Sequence, residues 1–351
     1  MPILESMKSF VVLAANGISD YALRPLTQGG CAALAFALER TSHFPDYAGT
    51  IITAAADQCA AIQKYCADVQ LSALPPVQVV PVAEHTAAAF FKALIPFAAE
   101  ADHIFIAWAD APFLDSVGAA QLYAQHCTYK AEYSFADGYP EGLLPQIVSA
   151  GLVPILAALP FSAEVPLNRS FLFDTVKKDI NSYDLETMIA PEDVRHLRLA
   201  FYTDTKASWL LCRHFAGITA ENYAAYIAER QEFLRPLPAY YGIELIAYHP
   251  LRSIYRPKLF PEKFDDSCCM DFECAARLIE AIADFSESAV ISLSLYGEPL
   301  LHPQFVTIVE QILNHRHLSV LIETSGIVEK TAAYLEDFDR LVQICRDIPP
   351  R

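Results

Sequence analysis

Basic residues are scarce in this sequence: its 351 residues hold 25 Lys+Arg against 42 Asp+Glu, a formal net charge of −17. They form no local cluster. A chain this acidic is repelled by a nucleic-acid backbone or an anionic membrane, so neither is an expected partner. Long apolar runs are missing too, although the mean hydropathy of +0.25 is high. The worst stretches, AAAFFKALIPFAA from Ala87 and IVSAGLVPILAALPF from Ile147, are broken by Lys92, Pro96 and Pro154. Both fall short of the roughly 18 apolar residues a span needs and read as buried helices. The first residues put Glu5 and Lys8 ahead of a short apolar run, without the cationic and long apolar regions of a secretory signal. Nine cysteines, an odd number, are scattered from Cys31 to Cys345, which fits reduced thiols better than a disulfide framework. These absences predict a cytoplasmic protein.

Apolar residues are plentiful: 54% of the chain is hydrophobic, with 21 Phe and 17 Tyr, so packed cores are expected rather than disorder. The length suits roughly two domains of about 150 residues each. No internal sequence repeat or low-complexity tract interrupts them. From Phe10 to about Ala124, short apolar runs (FVVLA, TIITA, VQVV, HIFIAWAD) alternate with helical stretches near 31–41, 57–66 and 85–99. That order predicts βαβ units in a doubly wound, mostly parallel sheet. Residues 129–195 read as a looser, lid-like excursion. RLAFY from Arg198 reads as one more strand, followed by helices from Thr205 and Ile218 that Pro236 and Pro238 end. We place a domain boundary there, giving domains 1–235 and 240–351. The second domain repeats the alternation: strands from Tyr240, Ala289 and Leu318, and helices over about 271–285, 303–313 and 328–345. Three βα units cannot close a barrel, so this domain reads as unfinished.

Two strand ends carry candidate chemistry. HIFIAWAD ends in Asp110-Ala111-Pro112, which sets a carboxylate at the carboxyl end of a buried strand, where open α/β sheets bind ligands and where oxygen ligands suit Mg²⁺. The bland reading is a strand-ending Asp in a proline turn. SLSLYGEPLLHPQF from Ser292 ends a strand in Gly297-Glu298-Pro299. There a glycine admits close approach to the backbone, a carboxylate suits an ammonium group, and Pro303 suits a first helical turn. Phe305, Ile308, Val309, Ile312 and Leu313 form a core-packing stripe.

The first strand and its connection, with Leu13-Ala14-Ala15, Gly17, Arg24-Pro25 and later Asp110-Ala111-Pro112, resemble the sugar-nucleotide and isoprenoid cytidylyltransferase fold. That resemblance implies a Rossmann-like sheet over about residues 8–230, Gly17 and Arg24 in a loop that wraps a nucleotide triphosphate, and Asp110 as a metal ligand. The chain departs from the pattern at Asn16, Ser19 and Leu26, where the family has two loop glycines and a lysine. Losing them removes close backbone approach to phosphate and a point cation.

Gly297-Glu298-Pro299 with Leu300-Leu301-His302-Pro303 resembles the radical S-adenosylmethionine superfamily, in which this string holds the amino group of the cofactor's methionine. Glu323-Thr324-Ser325-Gly326 resembles another of its polar strand ends. The resemblance implies a partial βα barrel and S-adenosylmethionine as cofactor. The three cluster cysteines are replaced by His249, Ser253 and Arg256, so no 4Fe-4S cluster is expected in the 249–256 loop. Cys268, Cys269 and Cys274 do not reproduce that spacing and read as buried or idle thiols. The pairing of the two domains, with FLFDTVKKDINSYDLETMIAPEDVRHLRLAFYTDTK from Phe171, resembles the spiro-SPASM proteins of spirochaetes. In that family a cysteine-rich SPASM domain follows the barrel, where here only Cys345 follows. Three functions remain open: an atypical, noncatalytic radical-enzyme relative binding S-adenosylmethionine or a peptide, a Mg²⁺-dependent nucleotidyltransferase, and a scaffold.

Overall fold

The computed structural model describes residues 7–27, 30–68, 77–251 and 261–326, and the backbone of 341–346. The chain divides into two compact units at Leu234/Arg235.

The first unit is built on strands β1 (Ser9–Ala14), β2 (Tyr47–Ala55), β3 (Gln78–Val82), β4 (His103–Trp108), β5 (Tyr133–Asp137), β6 (Gln146–Ser149) and β7 (Leu185–Ile189). They form one sheet in the order β3-β2-β1-β4-β6-β5-β7. β6 runs antiparallel to both its neighbours, and the other pairs are parallel. Both faces are apolar because successive residues of a strand point to opposite sides. Val11, Leu13, Phe105 and Ala107 face one core, with Leu34 and Leu38 of α1 (Ala33–Thr41), Ile62 of α2 (Cys59–Asp68) and Leu122 of α4 (Ser116–Tyr129). Val12, Ala14, Ile104 and Ile106 face the other, with Phe90 and Phe91 of α3 (Ala87–Ala98), Leu156 of α5 (Leu152–Ala158) and Phe171 of α6 (Phe171–Val176). Thr86 caps α3 and Asp115 caps α4, each accepting from the backbone amide three residues on. The doubly wound, mostly parallel sheet expected from the sequence is therefore present.

Several details differ. The region expected to be a loose excursion supplies β5, β6 and β7, which complete the sheet. β5 and β6 each bury only two adjacent residues and β7 only Met188, so no clean apolar run marks them. Residues 198–202 are not a strand: they make one bridge, Glu141 to Ala200, while Phe201 is buried in a separate core with Leu26 and Phe215. The long helix expected from Ile218 is a short α8 (Tyr223–Ala228), following α7 (Lys206–His214).

The second unit holds a four-stranded parallel sheet in the order β11-β10-β9-β8. Its strands are β8 (Tyr240–Gly242), β9 (Ala289–Ser292), β10 (Leu318–Thr324) and β11 (Leu341–Arg346), with helices α9 (Phe272–Ser286) and α10 (Phe305–Asn314). β10 alternates buried Leu318, Val320 and Ile322 with exposed or half-buried neighbours, and the buried set packs on Ile279 of α9 and Ile308 and Ile312 of α10. β8 stops at Gly242, short of the strand expected to run to Tyr248, because Ile246 leaves the sheet to bridge Cys269. The helix expected over 328–345 is corrected in its last part, where 341–346 pair with β10 as a strand. The rest of that expectation, over 327–340, lies outside the described residues. No helix among the described residues is long and apolar enough to cross a membrane.

Candidate functional site

Order reverses at the centre of the first sheet: β1 leads outward through β2 and β3, and the chain then returns to β4 on the other side of β1. Such a switch point opens a crevice at the carboxyl ends of the two strands. Here the crevice is a cleft of about 290 Å³, walled by residues Ala14 to Ile18 after β1, by Trp108 and Asp110 after β4, and by His85, Arg169 and Asp204.

The loop after β1 is a tight turn. Ile18 N donates to Ala15 O at 3.1 Å, and Gly17 takes the left-handed φ of +75° that such a turn demands at its third position. Gln58 pins it: Gly17 N donates to Gln58 Oε1 at 3.2 Å and Gln58 Nε2 donates to Ile18 O at 3.4 Å. The amide that a phosphate-cradling loop would present is thus engaged within the chain. Asn16, at 8% exposure, lines the cleft, and its Oδ1 is buried with no hydrogen-bond partner. A buried acceptor left unpaired costs about 1–3 kcal/mol, which makes Asn16 the point where a ligand donor would gain most.

Asp110 is 3% exposed. Its carboxylate accepts two bonds from Arg169, Nη1 to Oδ1 at 2.8 Å and Nη2 to Oδ2 at 2.6 Å, and Arg169 also reaches Asp204 Oδ2 at 3.4 Å. The guanidinium lies between two rings, 4.4 Å from Trp108 and 3.9 Å from Tyr202. Backbone bonds assemble this cluster. Thr203 N donates to Asp110 O at 3.0 Å, which sets Asp204 beside Asp110, and Ser19 Oγ donates to Thr203 O at 2.9 Å. The segment before Arg169 is tied to the start of α3 by the Thr86–Pro166 bridge. Burial pushes the Asp110 carboxyl up, against the pull of the Arg169 hydrogen bonds. Burial also lowers Arg169, but its bonds to Asp110 outweigh that and raise it. The two-pronged geometry, in which both carboxylate oxygens accept, holds the two as charged partners.

Expected as a metal ligand, Asp110 has both oxygens committed to Arg169. Among the described residues no group of three His, Cys, Asp or Glu side chains gathers around a common point. The arrangement does not fit Mg²⁺, because the place beside the carboxylate is filled by a guanidinium. Arg24, expected at a nucleotide, is exposed, and its guanidinium stacks over Tyr21 at 4.2 Å. Leu26 is buried at the position of the family's lysine. Sequence reasoning missed Arg169, which lies 59 residues from Asp110 in a loop with no recognisable motif.

In the second unit the Gly-Glu-Pro string locks three strand ends together. A Cβ on Gly297 would stand 1.6 Å from Ile246 O, so only glycine fits. Gly297 N donates to Glu244 Oε1 at 3.1 Å and Glu298 N to Tyr248 O at 2.9 Å. Glu298 is fully buried, and its carboxylate accepts from Thr324 Oγ1 at 2.7 Å, Ser325 N at 2.9 Å, Ser325 Oγ and Leu300 N. Pro299 opens a 3-10 turn ending at Leu301. Glu323 points to solvent, while its backbone exchanges two bonds with Ser294 Oγ. Glu298, the carboxylate the resemblance sets against the ammonium of S-adenosylmethionine, thus has both oxygens committed to donors of its own chain. His249 Nδ1 accepts from Leu251 N at 3.1 Å; Ser253 and Arg256 lie outside the described residues.

No family model matches the chain. It is 56% identical over 158 residues, 45% of its length, to an uncharacterized protein of Treponema pallidum (strain Nichols), and 60% identical over 74 residues to another of the same strain. The matches cover 44% and 34% of those proteins, so the chain spans less than half the length of the curated relatives it matches. A cytidylyltransferase structure from Leptospira borgpetersenii serovar Hardjo-bovis (strain JB197) aligns with 67% of this chain and all of that one, with a TM-score of 0.54 and 14% identity. At that identity the likeness concerns architecture: the chain contains a mixed α/β fold, with a mostly parallel central sheet, of the cytidylyltransferase kind.

Proposed function

We propose that the first unit binds a nucleotide, gripping its nucleoside end in the cleft between β1 and β4. The observation that carries this is the unpaired, buried Oδ1 of Asn16 in a crevice at the switch point of a nucleotidyltransferase-like sheet. An amine of a base or a hydroxyl of a ribose supplies the missing donor, and Trp108 supplies an aromatic wall. Phosphates gain little: the loop amide of Gly17 is spent on Gln58 and Leu26 replaces a cation. Binding without transfer is therefore the reading supported best. The Leptospira likeness makes cytidine nucleotides the first to test. Titration calorimetry with cytidine, CMP and CTP should show saturable binding of at least one, with CTP no tighter than CMP, and Asn16→Ala should weaken it about tenfold, the worth of one hydrogen bond. Absence of binding by all three, or Asn16→Ala binding as the wild type does, would remove the proposal.

Membership of the spiro-SPASM proteins is, for the second unit, part of the same proposal. It is supported by parallel strands β8, β9 and β10 adjacent in chain order, with Gly297-Glu298-Pro299 after β9. In this reading the unit keeps the strand-end string as an internal tie and serves as a scaffold.

A further inference from the structure

A carboxylate pair at the mouth of a nucleotide cleft ordinarily needs a counter-charge, and here the chain supplies its own. Arg169 bonds Asp110 with both prongs and reaches Asp204 with one of them, and it is clamped between Trp108 and Tyr202. Its side chain is 29% exposed, against 4% for that of Asp110. A rotating surface arginine would have neither two rings nor a two-pronged partner. We propose that Arg169 is a built-in cation holding the place of a divalent metal between Asp110 and Asp204, so that the cleft excludes such ions and takes its ligand metal-free.

Three features argue for this place rather than a chance ion pair. Asp204 is brought to the site by Thr203, whose amide and hydroxyl both donate to Asp110 O, so the two carboxylates converge by backbone design. Ser208 Oγ donates to Asp204 Oδ1 at 2.7 Å, leaving Oδ2 turned to the guanidinium. A planar fork matches a carboxylate in two directions at once and sheds its hydration more readily than an ammonium, which suits a buried partner. The exclusion is also electrostatic, since a divalent ion approaching Asp110 meets a fixed positive charge.

The claim concerns the protein and metal alone and is read without nucleotide, so its failure is separate from any failure of the nucleotide reading. Mn²⁺ is the probe: electron paramagnetic resonance counts the free ion as it is titrated against the full chain. The wild type should show no saturable site in the low-millimolar range. Arg169→Ala, checked for folding by circular dichroism, should gain one Mn²⁺ per chain, and adding Asp110→Asn should remove it. Arg169→Met, which keeps an apolar stem between the rings, replaces the alanine variant if that one does not fold. A wild-type chain that binds one Mn²⁺ and loses it in Asp110→Asn, or a folded Arg169 variant that gains none, would overturn the proposal.

Discussion

Single residues set the local limits of both units. Gly297 is required because its backbone presses on Ile246 O, so Gly297→Ala should cost the second unit about 3 kcal/mol or more, read as a fall in the urea midpoint. Glu298→Ala strands Thr324 Oγ1 and Ser325 N in a buried place and should cost about 3 kcal/mol in the same measurement. An unchanged midpoint in either variant would show that the strand ends are not locked there. His126, in the first unit, titrates as well as packs. It is fully buried, sharing Nδ1 with Ser134 Oγ at 2.8 Å and Nε2 with His103 at 3.1 Å. Burial, helped by His103, pushes its pKa down to about 4 from 6.5. The folded ring stays neutral while the unfolded ring takes a proton near 6.5, so its contribution is complete above that pH and drains away toward pH 4. The wild type should lose stability across that window faster than His126→Gln. Parallel pH curves for the two would contradict the assignment. The glycine and glutamate of this string were visible in the sequence, but their partners were not, because Ile246 and Ser325 come close only through the sheet.

Among the elements, strand ends and helix caps carry the site. Asp115 caps α4 and also accepts from Ala220 N at 2.9 Å, 105 residues away. One carboxylate therefore anchors both a helix and the loop that leads to α8. Asp115→Ala should cost about 2 kcal/mol, more than the roughly 1 kcal/mol of an ordinary cap, measured by thermal unfolding of the first unit's near-ultraviolet signal. A loss no larger than that of Thr205→Ala, which caps α7 at the surface, would show that the long-range bond adds nothing. β1 to β4 were legible because each is a short apolar run between helical stretches, largely buried in β1, β2 and β4 and only at Val82 in β3. β5, β6 and β7 were not, because strands of four or five residues that bury at most two side chains each carry too few apolar residues to mark a period. Arg169 escaped for a different reason: its meaning comes from Asp110 and two rings that the chain brings together only after folding.

Taken whole, the molecule joins two α/β units, each with a core of its own. Cleavage by a nonspecific protease at low dose should fall near Leu234/Arg235, where the units divide, and residues 1–234 expressed alone should melt cooperatively; an unfolded fragment would contradict independent cores. The central claim is that the cleft of the first unit receives a nucleoside without metal. Trp108 lines that cleft, and the sequence has two tryptophans, so in a Trp209→Phe background Trp108 is the sole indole and reports directly on occupancy. With EDTA present, adding CMP should change its fluorescence along a saturable curve, and Asn16→Ala should shift that curve to about tenfold higher concentration. A flat response to cytidine, CMP and CTP alike, or a response that appears only when Mg²⁺ is supplied, would contradict the account.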